Sequence, residues 1–156
     1  MIKRKPVIAV IGAGKCSKKL RDMAAVIGKC IAEQGGVLVC GGLGGVMEGA
    51  ARGAKEAGGV TIGILPTDSK ADANEFIDYV IPSGFGEARN IMVVRSADAV
   101  IALPGKYGTL TEMAFALLAG IPVISVMAWK LGDEIMQVED PIEAAHKAME
   151  LAQKRV

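Results

Sequence analysis

Two side chains in this sequence are of types, and in settings, that could do chemistry together. Arg89 follows Gly86-Glu87-Ala88 in the expected first turn of a helix. There the helix dipole disfavours a cation and prefers an acid such as Glu87, so an arginine aimed at an anion is the economical reading. Glu112 closes the stretch Pro104-Gly105-Lys106-Tyr107-Gly108-Thr109-Leu110-Thr111-Glu112. Thr109-x-x-Glu112 has the spacing of a helix capping box, and a cap worth about 0.5 to 2 kcal/mol would account for both residues. A carboxylate beside a bound anion could equally stabilise developing positive charge and orient water. On spacing alone both readings stay open.

The cradle for such an anion would be glycine. Of 20 glycines, ten (Gly12, Gly14, Gly41, Gly42, Gly44, Gly45, Gly84, Gly86, Gly105 and Gly108) fall in four loops that each follow an apolar run. Glycine lets backbone N–H groups turn toward a ligand and lets the ligand come close. Turns need some glycine, but four in the five residues Gly41 to Gly45 exceed that need. Loops that open helices favour phosphate, because unpaired N–H groups and the dipole both attract an anion. The expected binding residues are Gly12, Gly41, Gly42, Gly44, Gly45, Gly105, Lys106, Tyr107, Gly108 and Thr109.

Two common nucleotide motifs do not fit. Gly12-Ala13-Gly14-Lys15-Cys16-Ser17 has Ser17 where the dinucleotide fingerprint needs its third glycine, and Gly41 follows Cys40 where an acid would take the ribose hydroxyls. The ATPase P-loop fails because Cys16 follows Gly14-Lys15 and Ala9 stands in place of the first glycine.

The elements that must position these loops alternate. Val7 to Ile11, Val37 to Cys40, Val60 to Leu65, Tyr79 to Ile81, Ala99 to Leu103 and Pro122 to Val126 are short, continuously apolar runs, as in strands covered on both faces. Helical patterns are expected over Ser17 to Gln34, Val46 to Ala57, Gly86 to about Ala97, and Thr109 to Ala119. A last helix runs from the Asp140-Pro141-Ile142-Glu143 start to about Gln153. The stretch from Met127 to Glu139 is unassigned apart from a short strand near Ile135 to Val138. The alternation predicts an α/β fold: one Rossmann-like, doubly wound, mostly parallel sheet in a single domain over residues 1–156. All four glycine loops then emerge on one edge, where open α/β sheets bind ligands.

Composition agrees and excludes. A chain of 16.2 kDa should fold to roughly 7,500 Å² of surface, enough for one domain with a real core. Lys and Arg number 18 against 17 Asp and Glu, and no basic stripe extends beyond Lys3-Arg4-Lys5, so a nucleic-acid partner is not expected. No apolar run reaches bilayer length and Pro6 to Ile11 is too short for a signal peptide, so a cytoplasmic protein with no membrane partner is expected. Cys16, Cys30 and Cys40 lack metal or disulfide spacing; they are expected to be reduced and mostly buried, with no metal and no cofactor. His146, the one histidine, is expected at the surface. Met113 to Ala119 is apolar on every side, which predicts cover by a second subunit in a homodimer or larger symmetric assembly.

Taken in order, Gly41-Gly42-Leu43-Gly44-Gly45-Val46-Met47, Gly53-Ala54, Gly58-Gly59, Glu87-Ala88-Arg89-Asn90, Ala97-Asp98-Ala99 and Pro104 to Glu112 resemble the LOG family. Its members were often labelled putative lysine decarboxylases. It includes cytokinin-activating nucleoside 5'-monophosphate phosphoribohydrolases and, in a short-chain branch, molybdenum-cofactor carrier proteins. The likeness runs from about Val7 to Val126. It implies a Rossmann-like fold, a small phosphorylated ligand (a nucleoside monophosphate or a pterin) in the glycine loops, and Arg89 and Glu112 as the catalytic pair. Nothing in the sequence indicates a pyridoxal site for decarboxylation. The chain departs from the family at Lys106, where a second glycine is usual, and at Asn90, where a lysine is usual. Were the backbone at Lys106 left-handed, strain of roughly 1 kcal/mol would follow.

Overall fold

The computed structural model describes residues 3–156. Strand β1 (Val7–Ile11) leads to α1 (Lys18–Glu33), β2 (Val37–Cys40), α2 (Val46–Glu56), β3 (Val60–Leu65) and β4 (Tyr79–Pro82). Then come α3 (Arg89–Arg95), β5 (Ala99–Ala102), α4 (Tyr107–Leu118), β6 (Val123–Val126), β7 (Met136–Val138) and α5 (Pro141–Gln153). The seven strands form one sheet in the order β4-β3-β2-β1-β5-β6-β7, and every pair is parallel. The fold is therefore Rossmann-like, as expected, and the short strand near residue 136 exists as the outer edge. The chain changes direction of growth between β1 and β5, so the crevice of such a sheet opens above these two strands.

Both faces are covered because the inner strands are apolar throughout. Ile8 and Val10 of β1 face a core shared with α1, α2 and α5; Ala9 and Ile11 face the other core, with α3 and α4. Asp98 fixes the register of the centre: its carboxylate accepts from the Val7 N–H at 2.9 Å, and its own N–H donates to the Val7 carbonyl at 2.7 Å. The caps are local. Ser17 Oγ accepts from Leu20 N–H, and Asp140 accepts from Ile142 N–H with Pro141 beginning the helix.

Two helix starts differ from expectation. The helix expected from Gly86 begins at Arg89, after a 3₁₀ turn over Gly86–Ala88, because Gly86 sits at φ +58°, outside the helical region. The helix expected from Thr109 begins at Tyr107 with Lys106 as its cap. Thr109 and Glu112 consequently lie inside the helix, and the capping box they were read as does not form. Of the three thiols only Cys40 is fully buried; Cys16 and Cys30 are half-buried, and all three are free. His146 is exposed on α5. No helix among the described residues is long and apolar enough to cross a membrane.

Candidate functional site

A cleft of about 530 Å³ opens at the crevice between β1 and β5. Gly12 to Lys15, after β1, form one wall; Lys106, Gly108, Thr109 and Glu112, from the β5–α4 segment, form the opposite wall. Leu43 and Met47 from the loop and helix after β2 add apolar surface, and Glu87, Arg89 and Asn90 close the third side. Among the residues expected to bind, Gly12, Lys106, Gly108 and Thr109 line this space with Arg89 and Glu112.

The remaining glycines stand behind the lining. A Cβ on Gly41 would lie 2.5 Å from Nη2 of Arg89, so the absence of a side chain there makes room for the guanidinium. Gly45, at φ +65°, caps α2 while pressed against the Ala13 carbonyl; a Cβ would come within 2.2 Å of that oxygen. Gly42, Gly44 and Gly105 are likewise in close approach to Leu65, Gly14 and Thr109. Glycine at 41, 42, 44, 45 and 105 thus has a packing cause, which spacing alone did not reveal, whereas Gly14 and Gly108 have room for a Cβ. Tyr107 is exposed and lies outside the cleft; with Phe115, Thr111 and Ala88 it lines an adjoining groove that shares Glu87, Asn90, Lys106 and Gly108 with it.

Arg89 is 7% exposed, and its position is fixed by the protein. Nε donates to the Ile64 carbonyl at 2.9 Å, Nη2 to the Gly41 carbonyl at 3.4 Å, and Nη1 to Oδ1 of Asn90. Asn90 in turn donates through Nδ2 to Thr111 Oγ1 at 3.3 Å, and the Thr111 hydroxyl donates to the Gly108 carbonyl at 2.6 Å. A continuous chain of hydrogen bonds therefore runs from Arg89 to the first turn of α4. Asn90, the departure from the family pattern, is the middle of that chain.

Glu112 is 8% exposed and its carboxyl receives no hydrogen bond from any of the described residues. Burial pushes it up to about 8; the positive charge of Arg89 pulls it down and Glu87 pushes it further up. At neutral pH it mostly carries its proton. The cleft then holds three cationic side chains, Lys15, Arg89 and Lys106, against one exposed carboxylate, Glu87, so the lining favours an anion. Lys106 is exposed, and its φ of −96° removes the strain that its replacement of a glycine would have implied. The first-turn N–H groups of α4 have no side-chain cap. An anion could serve as that cap. The thiol of Cys40, beneath the site, accepts from Gly42 N–H and is pushed up to about 11 by burial, so it is an inert packing group.

Sequence reasoning did not place Lys15, Leu43, Met47 or Glu87 at the cleft. Leu43 sits within Gly41 to Gly45, Lys15 directly follows Gly14 and Met47 is the second residue after Gly45, so proximity was the available signal; Glu87 lies two residues before Arg89.

The sequence matches the SLOG cluster4 family over residues 5–154. It is 44% identical over 139 residues to an uncharacterised protein of Archaeoglobus fulgidus, covering 89% of this chain and 91% of that one. It is 34% identical to the cytokinin riboside 5'-monophosphate phosphoribohydrolase of Mycobacterium tuberculosis, covering 79% and 71% of the two chains. Among solved structures, the molybdenum cofactor binding protein of Rippkaea orientalis superposes with a TM-score of 0.86 at 36% identity, covering 94% and 96%. With the glycine loops, Arg89 and Glu112 in their expected order along a parallel seven-stranded sheet, and with that match along nearly its whole length, the chain belongs to the SLOG cluster4 family.

Proposed function

We propose that the cleft binds the phosphate and ribose of a nucleoside 5'-monophosphate and that the protein hydrolyses the N-glycosidic bond, releasing free base and ribose 5-phosphate. The observation that carries this reading is the buried, unpartnered Glu112 carboxyl on the wall of a cationic cleft formed by glycine loops. The phosphate would be held by the free first-turn N–H groups of α4 and by Lys15 and Lys106. As the bond between C1' and the base nitrogen breaks, positive charge grows on the ribose, and the Glu112 carboxylate stabilises it. Water adds its oxygen to C1' and gives a proton to Glu112, while the base leaves with a proton from solvent. Arg89, held rigid by Ile64, Gly41 and Asn90, biases Glu112 toward the ionised form that this step needs.

The reading is tested by exposing the purified protein to a panel of nucleoside monophosphates and assaying ribose 5-phosphate. Product is expected with at least one of them, increasing with pH up to about 8 as Glu112 ionises and lost in Glu112→Gln. No product with any nucleotide would defeat it.

One observation favours a second reading. Three of the donor groups of Arg89 are spent on protein acceptors rather than left for a substrate, as suits a cleft that only binds. The Rippkaea protein, described as binding the molybdenum cofactor, is similar over 96% of its length. Under this reading the ligand is a phosphorylated pterin, and its absorbance and mass would be found in the purified protein. Either reading is compatible with self-association through the α3–α4 face, where Leu118 is 83% exposed and Ile91 and Tyr107 are also exposed.

A further inference from the structure

Trp129 lies in the segment after β6 that the sequence left unassigned, and its indole N–H is shared between two successive carbonyls, those of Gly105 at 3.1 Å and Lys106 at 3.2 Å. Its ring is stacked on Tyr107, with centroids 6.3 Å apart and planes 21° apart. The turn that brings it there is built for the purpose. Met127 adopts φ +58°, the only non-glycine residue among those described with positive φ, and the next residue is tied back by Ala128 N–H donating to the buried Ser125 Oγ at 3.2 Å. A bulky side chain in the left-handed region costs energy and persists where the surroundings require it.

The direction of these bonds bears on the cleft. In the sheet order β6 lies on one side of β5, and β1 and β2, whose loops line the cleft, lie on the other. Carbonyl and N–H of a trans peptide point in opposite directions. Trp129 holds the carbonyls of Gly105 and Lys106 on the β6 side; the Lys106 carbonyl also accepts from Leu110 N–H at 3.1 Å within α4, so the peptide that depends on Trp129 is Gly105–Lys106, whose N–H, that of Lys106, is turned toward the cleft side. Gly105 has no side chain to resist rotation of the peptide that follows it, so this orientation needs an outside hold.

We propose that Trp129 is a positioning residue for the anion site: its indole N–H, held between the Tyr107 ring and the Met127 turn, fixes the Gly105–Lys106 peptide plane so that the Lys106 amide faces the ligand's phosphate. The proposal rests on the reading of the cleft as a phosphate site, and it adds the residue that pre-organises one wall. Pre-organised donors bind an anion more tightly than donors that must first reorient.

The experiment is an amide-resolved NMR titration of the full chain with adenosine 5'-monophosphate, with adenosine as the phosphate-free control, on wild type and Trp129→Phe. Phenylalanine keeps an aromatic ring for Tyr107 while removing the N–H together with the rest of the indole. The monophosphate is expected to shift the Lys106 amide of wild type, and Trp129→Phe to bind it about ten-fold more weakly while binding adenosine as before. A purely structural role would lower thermal stability without separating the two ligands. Equal monophosphate affinity in the variant, or an equal loss for adenosine, overturns the proposal. Should the variant not fold, the wild-type titration decides alone. Shifts at Gly14 and Thr109 without a shift at Lys106 overturn the role of Trp129 and leave the cleft reading standing, whereas no shift at any cleft amide removes both.

Discussion

The two faces of the sheet are both covered by helices, yet they are built differently. On one, α1, α2 and α5 are packed with their apolar sides turned inward, and α1 and α2 approach closely enough that glycine is obligatory: a Cβ on Gly53 would lie 1.9 Å from the Ala25 carbonyl oxygen, and one on Gly28 1.9 Å from that of Ala50. On the other, α3 and α4 cover the sheet and put Ile91, Tyr107 and Leu118 in solvent, the last two far more exposed than Val26 of α1 and Ile142 of α5 on the first face. The second face also supplies Arg89, Asn90, Thr109 and Glu112 to the cleft. The closed face maintains the fold, while the open face carries the polar and ionisable groups and the apolar surface that another molecule can cover. A buried carboxyl without a partner belongs on the second kind of face, because a closed one leaves no ligand to offset its desolvation.

The sharpest break of this comparison comes from Gly53→Ala. The added methyl meets backbone, which cannot step aside as a side chain would, so a loss of about 3 kcal/mol or more is expected, read from denaturant midpoints. A loss below about 1 kcal/mol would mean that α1 and α2 are not in such contact.

Glu112→Gln should act in the opposite direction. The Glu112 carboxyl, ordinarily near 4.5, is held at about 8 in the folded protein. Between these values the folded chain keeps a proton that the unfolded chain has released, so unfolding releases protons and stability falls as pH rises. The glutamine variant has no such dependence. It should be more stable than wild type by on the order of 3 kcal/mol at pH 7, with the advantage vanishing near pH 4.5 and levelling off above pH 8. Thermal melts across pH 4.5 to 8.5 check this, and parallel curves for the two proteins would refute it.

The smallest effect on the fold itself is expected on the open face. Leu118→Lys should change the stability of the monomer by no more than about 0.5 kcal/mol, because the side chain is already in solvent. It should nevertheless convert an assembled wild type to monomer in light scattering at micromolar concentration. A monomeric wild type would dispose of self-association.

Legibility in the sequence followed the range of the interactions. The strands were readable because residues buried on both faces must be continuously apolar, and the helix ends at Gly35, Gly58 and Gly120 because each takes a positive φ that glycine tolerates. The start of α4 was misplaced by two residues because Thr109-x-x-Glu112 imitates a local cap, and nothing local shows that both residues are buried. The segment carrying Trp129 was unreadable for a related reason: its conformation is stabilised by carbonyls 23 and 24 residues away.

The sequence by itself determined the alternation of strands and helices, the parallel sheet, and the gathering of glycine loops at one edge, since each follows from periodicity and chain connectivity. The tertiary structure decided the rest: that Glu112 is a desolvated carboxyl rather than a cap, that Arg89 is tethered to Ile64, Gly41 and Asn90, and that Trp129 holds the Gly105–Lys106 segment. Desolvation and long-range hydrogen bonds depend on which groups the fold brings together, and that neighbourhood exists only once the sheet has formed.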